Sequence, residues 1–157
     1  MNLLCIDPGT TESGVVLYDG EKVVEAESSW NNEGLLHSTI FTRADHLAVE
    51  KIVSYGMNIG QSTIDTCVWI GRFVQAFSGQ STLISRRDVK LFLCDSMRAK
   101  DKNVRQAILD RFPPIGGGKT PQIGTKSRKG PLYGISSHSW AALAVGITWF
   151  ESHLEER

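Results

Sequence analysis

The stretch NLLCIDPGTTESGVVLYDG, Asn2–Gly20, decides the fold. An apolar run from Leu3 to Ile6 ends on a carboxylate, Asp7, and Pro8-Gly9 turns the chain at once. A second apolar run, Val15 to Tyr18, follows a short polar link. Short apolar runs bounded by turn signals read as buried strands. Leu3–Asp7 and Ser13–Tyr18 are therefore predicted as two strands joined by Pro8–Glu12. Asp19-Gly20 is a hairpin turn signal and adds a third strand over Lys22–Ser28. An acid closing an interior strand needs a partner, because a buried charge is costly without one. The Pro8-Gly9 turn bares backbone N–H groups, and Thr10, Thr11 and Ser13 add hydroxyls, so this link can approach a phosphate beside Asp7.

Working outward, Asn31–Arg43 reads as an amphipathic helix and His46–Lys51, HLAVEK, as a short buried strand whose end carries a second acid, Glu50. Ile59–Phe77 reads as a long helix, with Ile64, Cys67, Val68, Ile70, Phe73, Val74 and Phe77 near helical spacing. Thr82–Ser85 is a strand, and Arg87–Met97 and Asn103–Phe112 are helices. Residues 113–134 form a Gly/Pro/Lys-rich basic loop, of a length that usually serves function or is disordered. Ser136–Leu154 is a closing helix. A three-strand meander followed by alternating helices and strands is an α/β domain with a mixed sheet, and 157 residues make a single domain, residues 1–157.

Net charge is zero, but its distribution is uneven. Residues 1–85 carry ten acids and four bases, and residues 86–129 carry twelve bases and four acids. Such a block suits a polyanion. No apolar segment of membrane-spanning length and no signal-peptide pattern stands in the sequence. Cys5, Cys67 and Cys94 are odd in number and set among apolar neighbours, so buried reduced thiols and a cytoplasmic location are expected.

Asp7 and Glu50 end two apolar strands and can share a cation. With a third ligand downstream they make the oxygen-rich kind of site that Mg²⁺ uses when it also takes phosphate oxygens. Taken singly, Asp7 reads equally as a turn cap, and Glu50 as a surface ion pair with Lys51 or Arg72. A strand–Asp–Gly–Thr–strand opening is shared by actin-type ATPases and by RNase H-like nucleases. The ATPases close two large domains over ATP, and 157 residues are too few for that. PPIGGGKT is not a phosphate-binding loop, because Pro113 stands where the first glycine is needed and no strand precedes it.

Four segments in order, CIDPGTTESGVVLYD, HLAVEKIVSYGMNIGQST, SRRDVKLFLC and HSWAALAVGITW, resemble the RuvC-type Holliday junction resolvases. The stretch GGGKTPQIGTKSRKGPLYGISSHSWAALAVGITW, from the basic loop into the closing helix, is most similar to their phage-encoded branch. The resemblance implies an RNase H-like mixed five-stranded sheet flanked by helices and a homodimer. It also implies metal-dependent nicking of four-way or other branched DNA, in a bacterial or phage-infected cell. It places the first two acids of the family on Asp7 and Glu50, the third position on His138 and the fourth on Ala141. Catalytic and metal-binding residues are thus expected at Asp7, Glu50 and His138. The family usually has an acid where this chain has Ala141. Lys90, and Lys100 or Lys102, match family lysines that contact DNA. Lys119, Lys126, Arg128 and Lys129 add phosphate contacts on a flexible segment, giving salt-dependent affinity rather than base readout. Tyr55 stands near the spot where many members carry a stacking aromatic.

The chemistry implied is phosphodiester hydrolysis with two Mg²⁺ or Mn²⁺ ions per site. Imidazole is a better ligand for Mn²⁺ than for Mg²⁺, so His138 implies a preference for Mn²⁺. Two other classes fit the same sequence: a branched-DNA-binding module with weak or no cleavage, favoured by Ala141, and an RNase H-like nuclease acting on RNA or a hybrid duplex.

Overall fold

A computed structural model describes residues 1–155. Its strands are β1 (Leu3–Asp7), β2 (Glu12–Tyr18), β3 (Val23–Asn31), β4 (His46–Lys51) and β5 (Gln80–Ser85), and its helices are α1 (Asn32–Leu36), α2 (Gln61–Ala76), α3 (Arg86–Cys94), α4 (Asp101–Leu109) and α5 (His138–Glu155). The strands form one mixed sheet in the order β3-β2-β1-β4-β5. β1 runs antiparallel to β2, and β2 to β3, while β4 lies parallel to β1 and β5 parallel to β4. Helices cover both faces, the RNase H-like architecture that the resemblance implies.

Side chains alternate across the sheet, so each strand feeds two cores. Leu3, Cys5, Val16 and Ala48 pack with α3, α4 and α5 on one face. Leu4, Ile6, Val15, Leu47 and Val49 pack with α1 and α2 on the other. α5 is buried nearly all round from Ala142 to Trp149, as befits a helix that is apolar on every side. It lies close against the sheet because the sequence leaves it room. A Cβ on Gly146 would sit 2.5 Å from the Cys5 sulfur, and one on Gly14 2.5 Å from the backbone of His138.

Four sequence-based expectations are corrected. Asn31–Arg43 is not one helix. β3 continues to Asn31, whose side-chain oxygen caps α1, and Ser38 bonds back to the Leu35 carbonyl and ends it. A 3-10 turn, Thr39–Thr42, completes the segment. The 113–134 loop contains no helix or strand yet is internally bonded rather than loose. Gly117 N–H donates to the Arg128 carbonyl, Gly130 N–H to Ile123 and Leu132 N–H to Gln122, and the Leu132 side chain is fully buried. Cys67 is exposed and Cys94 half-buried, so only Cys5 is a buried thiol. Finally, α3 begins at Arg86 rather than Arg87. Ser85 and Asp88 form a reciprocal capping box that fixes the start of the helix. No helix among the described residues is long and apolar enough to cross a membrane.

Candidate active site

The two acids meet because β1 and β4 are parallel. Cys5 pairs with Ala48 and Ile6 with Val49, so the same register carried one step further sets Asp7 beside Glu50. Both follow the parity of Cys5 and Ala48, which puts them on the face covered by α5. At that strand end α5 delivers His138. The His138 Nδ1 lies 3.0 Å from an Asp7 carboxylate oxygen. An ionised Asp7 can only accept, so the His138 Nδ1–H is the donor in this contact. Gly14, paired across from Asp7 on β2, is the position whose missing side chain admits the His138 backbone.

Glu50 has a partner that sequence reasoning missed. Arg86, the first residue of α3, follows directly on β5, whose Ile84 pairs with Glu50. Its guanidinium stands 3.6 Å from the Glu50 carboxylate and pairs with Asp101 at the start of α4. The ion pairs with Lys51 or Arg72 that the sequence allowed for Glu50 are not formed, and Arg72 pairs with Glu33 instead. Arg86 follows Ser85, whose capping box with Asp88 places it at the mouth of the sheet. Asp101 falls just ahead of the helix read from the sequence, Asn103–Phe112, where a charged residue is ordinary.

These groups share a cleft of about 820 Å³ lined by Asp7, Glu50, Arg86, Asp101, His138 and Ala141, with Lys90, Lys102 and Arg105 among its basic members. Desolvation dominates its electrostatics. Burial, then the nearby Asp7 charge, pushes the Glu50 carboxyl up to about 7, against the pull of Arg86. Burial likewise raises the carboxyl of Asp7, with the hydrogen bond from His138 opposing it. Two carboxylates forced together in a half-buried cleft hold excess negative charge, which a cation relieves.

The remaining expected residues distribute as follows. Lys90 and Lys102 line the cleft, while Lys100 is exposed and lies outside its lining. Lys119, Lys126, Arg128 and Lys129 are exposed on the bonded loop, with Lys129 over the Tyr133 ring, and none of the four lines the cleft. Tyr55 is exposed and borders a second hollow with Arg86, Arg87 and Lys90. Ser13 does not face the cleft as a phosphate ligand. It is buried, and its hydroxyl donates to the Asn32 side-chain oxygen, while Asn32 donates to the Gly9 carbonyl. This pair braces the turn after Asp7. Ala141 lies one helical turn after His138 on the cleft wall, as the i, i+3 spacing implied.

Carboxylates with an imidazole are the donor set that Mg²⁺ or Mn²⁺ accepts. Among the described residues no three His, Cys, Asp or Glu groups stand close enough to hold a metal as they are. In donor chemistry Asp7, Glu50 and His138 suit a divalent ion, while the Arg86 guanidinium lies between Glu50 and Asp101.

No protein-family model matches the sequence, and no curated protein matches it. Solved structures do. RuvC from Thermus thermophilus is 18% identical, with 99% of this chain and 97% of that one covered at a TM-score of 0.69. The T. thermophilus RuvC in complex with Holliday junction substrate is 16% identical, with 99% and 96% covered at a TM-score of 0.66. The yeast mitochondrial Holliday junction resolvase Ydc2 is 10% identical, with 98% and 82% covered at a TM-score of 0.56. At such identities the likeness is one of fold, and over nearly its whole length the chain has the fold of RuvC.

Proposed function

We propose that this protein is a metal-dependent, structure-selective endodeoxyribonuclease that cuts four-way or other branched DNA junctions. One observation carries the reading: Asp7 and Glu50 lie side by side at parallel strand ends, His138 is bonded to Asp7, and lysines line the same cleft. Likeness to solved junction resolvases, one of them in complex with its substrate, supports the choice of a branched substrate. The likeness of the basic loop to that of phage-encoded members supports the phage-like branch of that family, and with it a bacterial or phage-infected cell.

Asp7 and Glu50 would hold Mg²⁺ or Mn²⁺, with His138 beside them. Such ions neutralise the attacked phosphate and lower the pKa of water. The protein's own groups do the rest. Lys90 and Lys102 hold the DNA backbone over the acids. Asp7 fixes the ring of His138 so that Nε2 can accept a proton from water, in the way a carboxylate orients a histidine base. The exposed loop cations Lys119, Lys126, Arg128 and Lys129, together with Lys100, extend the contact to phosphates outside the cleft. A homodimer would present two such clefts to a symmetric junction. The outer face of α2, with exposed Ile64, Cys67 and Val68, is available for that contact.

A branched-DNA-binding module that does not cut is the rival reading, favoured by alanine at position 141. Incubating the protein with a labelled four-way junction, an RNA–DNA hybrid and a linear duplex, with Mg²⁺ or Mn²⁺, separates the readings. The proposal requires cutting of the junction in preference to both duplexes. Binding without nicks in either metal supports the module, and preferential cutting of the hybrid supports an RNA-processing nuclease.

A further inference from the structure

Position 141 leaves the cleft short of one acid, yet a carboxylate enters from another direction. Asp101 lies on the cleft wall with Asp7 and Glu50, contributed by the first turn of α4 rather than by α5. It reaches the same guanidinium that Glu50 reaches. Arg86 is thus the common partner of two acids from different elements, and Asp7 lies close enough to add to its field. Lys90, Lys102 and Arg105 line the same cleft, but among the described residues none of them pairs with these acids.

We propose that Arg86 is the resident cation of an acidic site formed by Asp7, Glu50 and Asp101. A divalent metal ion displaces it, and Asp101 supplies the carboxylate that Ala141 lacks. This rests on the reading of the cleft as a metal centre.

The physical case is one of exchange. A guanidinium carries one positive charge spread over a planar fork, and three carboxylates around it leave negative charge uncompensated. A divalent ion carries twice the charge in a smaller volume and binds carboxylate oxygens at about 2.0–2.2 Å, so it satisfies the same acids better. Arg86 is part exposed on its helix, and Asp101 is mostly exposed. Neither is locked by packing, so the pair can open without moving backbone. Once released, Arg86 sits at the cleft mouth beside Lys90 with its donors free, the geometry that grips phosphate in two-pronged fashion. Metal entry and phosphate capture then favour one another, and linkage makes the effect reciprocal.

Mn²⁺ titration of the full-length protein without DNA, followed by the loss of the free-ion EPR signal, tests this. Asp7→Asn serves as the control for the metal centre. Asp101→Asn keeps the shape of the side chain and is expected to weaken Mn²⁺ binding by about tenfold or more. Arg86→Gln removes the competing cation and is expected to tighten binding several-fold. A purely structural role for Arg86 would not produce that gain. Thermal melts by circular dichroism confirm that each variant is folded. Asp101→Asn binding like wild type, or Arg86→Gln binding no more tightly than wild type, overturns the inference even where Asp7→Asn abolishes binding and the metal centre stands. No Mn²⁺ binding by the wild-type protein would overturn the metal centre itself, and this inference with it.

Discussion

His46 and Glu50 stand on the same strand and the same face, four residues apart, and they are opposite kinds of polar group, His46 buried and Glu50 half-buried. His46 is 8% exposed and satisfied. The Trp149 indole N–H donates to the Thr82 hydroxyl at 3.1 Å, and the same hydroxyl is hydrogen-bonded to Nε2 of His46 at 2.9 Å. The His46 ring lies 4.5 Å from the Trp149 ring, and His153 stacks on the same indole at 4.3 Å. Burial, and next the neighbouring His153, hold the imidazole below its ordinary pKa, so it stays neutral. Glu50 is left in surplus: it has one guanidinium at 3.6 Å and a second acid beside it. A satisfied buried polar group is architecture, and a half-buried charge held in excess is poised for a ligand. The two ends of one strand therefore answer to pH in opposite senses. Alkali strains the Glu50 end, and acid strains the His46 end.

The largest break in that contrast comes from Asp7→Asn. The substitution removes a charge from the functional end while keeping its shape. Junction cutting is expected to fall by about a thousandfold, on the order of 4 kcal/mol in the barrier. Junction binding in EDTA should be nearly unchanged, because affinity comes from the lysines and arginines. Single-turnover cleavage and gel-shift assays on one preparation measure both, and wild-type cutting by Asp7→Asn removes Asp7 from the chemistry.

Next in size is Glu50→Gln, measured as stability without metal. The folded carboxyl is raised from an ordinary 4.5 to about 7. A group raised in the folded state contributes its stability below its unfolded pKa and loses it as pH climbs through the folded value. Between pH 4.5 and pH 8 the wild type should therefore lose up to about 3 kcal/mol that the glutamine variant keeps. Urea unfolding in EDTA at both pH values reads the difference. Parallel stability curves for the two proteins would show that Glu50 is not strained.

At the other end, His46→Ala should cost about 2 kcal/mol by breaking the Thr82 bond and the ring contact. The cutting rate at a temperature where the variant is folded should not change. In the wild type, this end loses stability as pH falls below the ordinary histidine pKa of about 6.5. Loss of cutting by a folded His46→Ala would join the two ends into one site.

Much of this was legible in the sequence, and the reason is local. An apolar run that ends on an acid fixes a strand and the address of its carboxylate together, so Asp7 and Glu50 were read correctly as strand-end groups. Their adjacency needed the parallel register of β1 and β4, which no local signal encodes. The start of α5 was near to hand, but the bond from His138 to Asp7 depends on the close approach over Gly14. Arg86 and Asp101 stayed hidden because each falls just ahead of a helix as read from the sequence, Arg87–Met97 and Asn103–Phe112, where a charged residue is ordinary. Their pairing spans two helices. Ser13 was misread for the opposite reason. A hydroxyl beside a turn resembles a ligand, and only the fold shows it turned inward to Asn32.

The smallest expected effect sharpens the contrast most. Ala141 sits on the cleft wall one helical turn from His138, so Ala141→Asp adds a carboxylate without moving backbone. The change costs about half a kcal/mol of helix propensity. If Asp101 already supplies the acid that position 141 lacks, the new carboxylate is redundant in the wild-type background. Mn²⁺ affinity should then change by less than about threefold, under ~1 kcal/mol. In the Asp101→Asn background the same carboxylate is needed, and it should recover most of the roughly tenfold loss. Mn²⁺ titration of the four proteins forms a double-mutant cycle whose coupling term is the prediction. At the functional end of the sheet one charge can then replace another through a different element, whereas the His46 end depends on one particular shape and bond. Equal tightening by Ala141→Asp in both backgrounds would show that positions 101 and 141 act separately and that Asp101 is not the substitute.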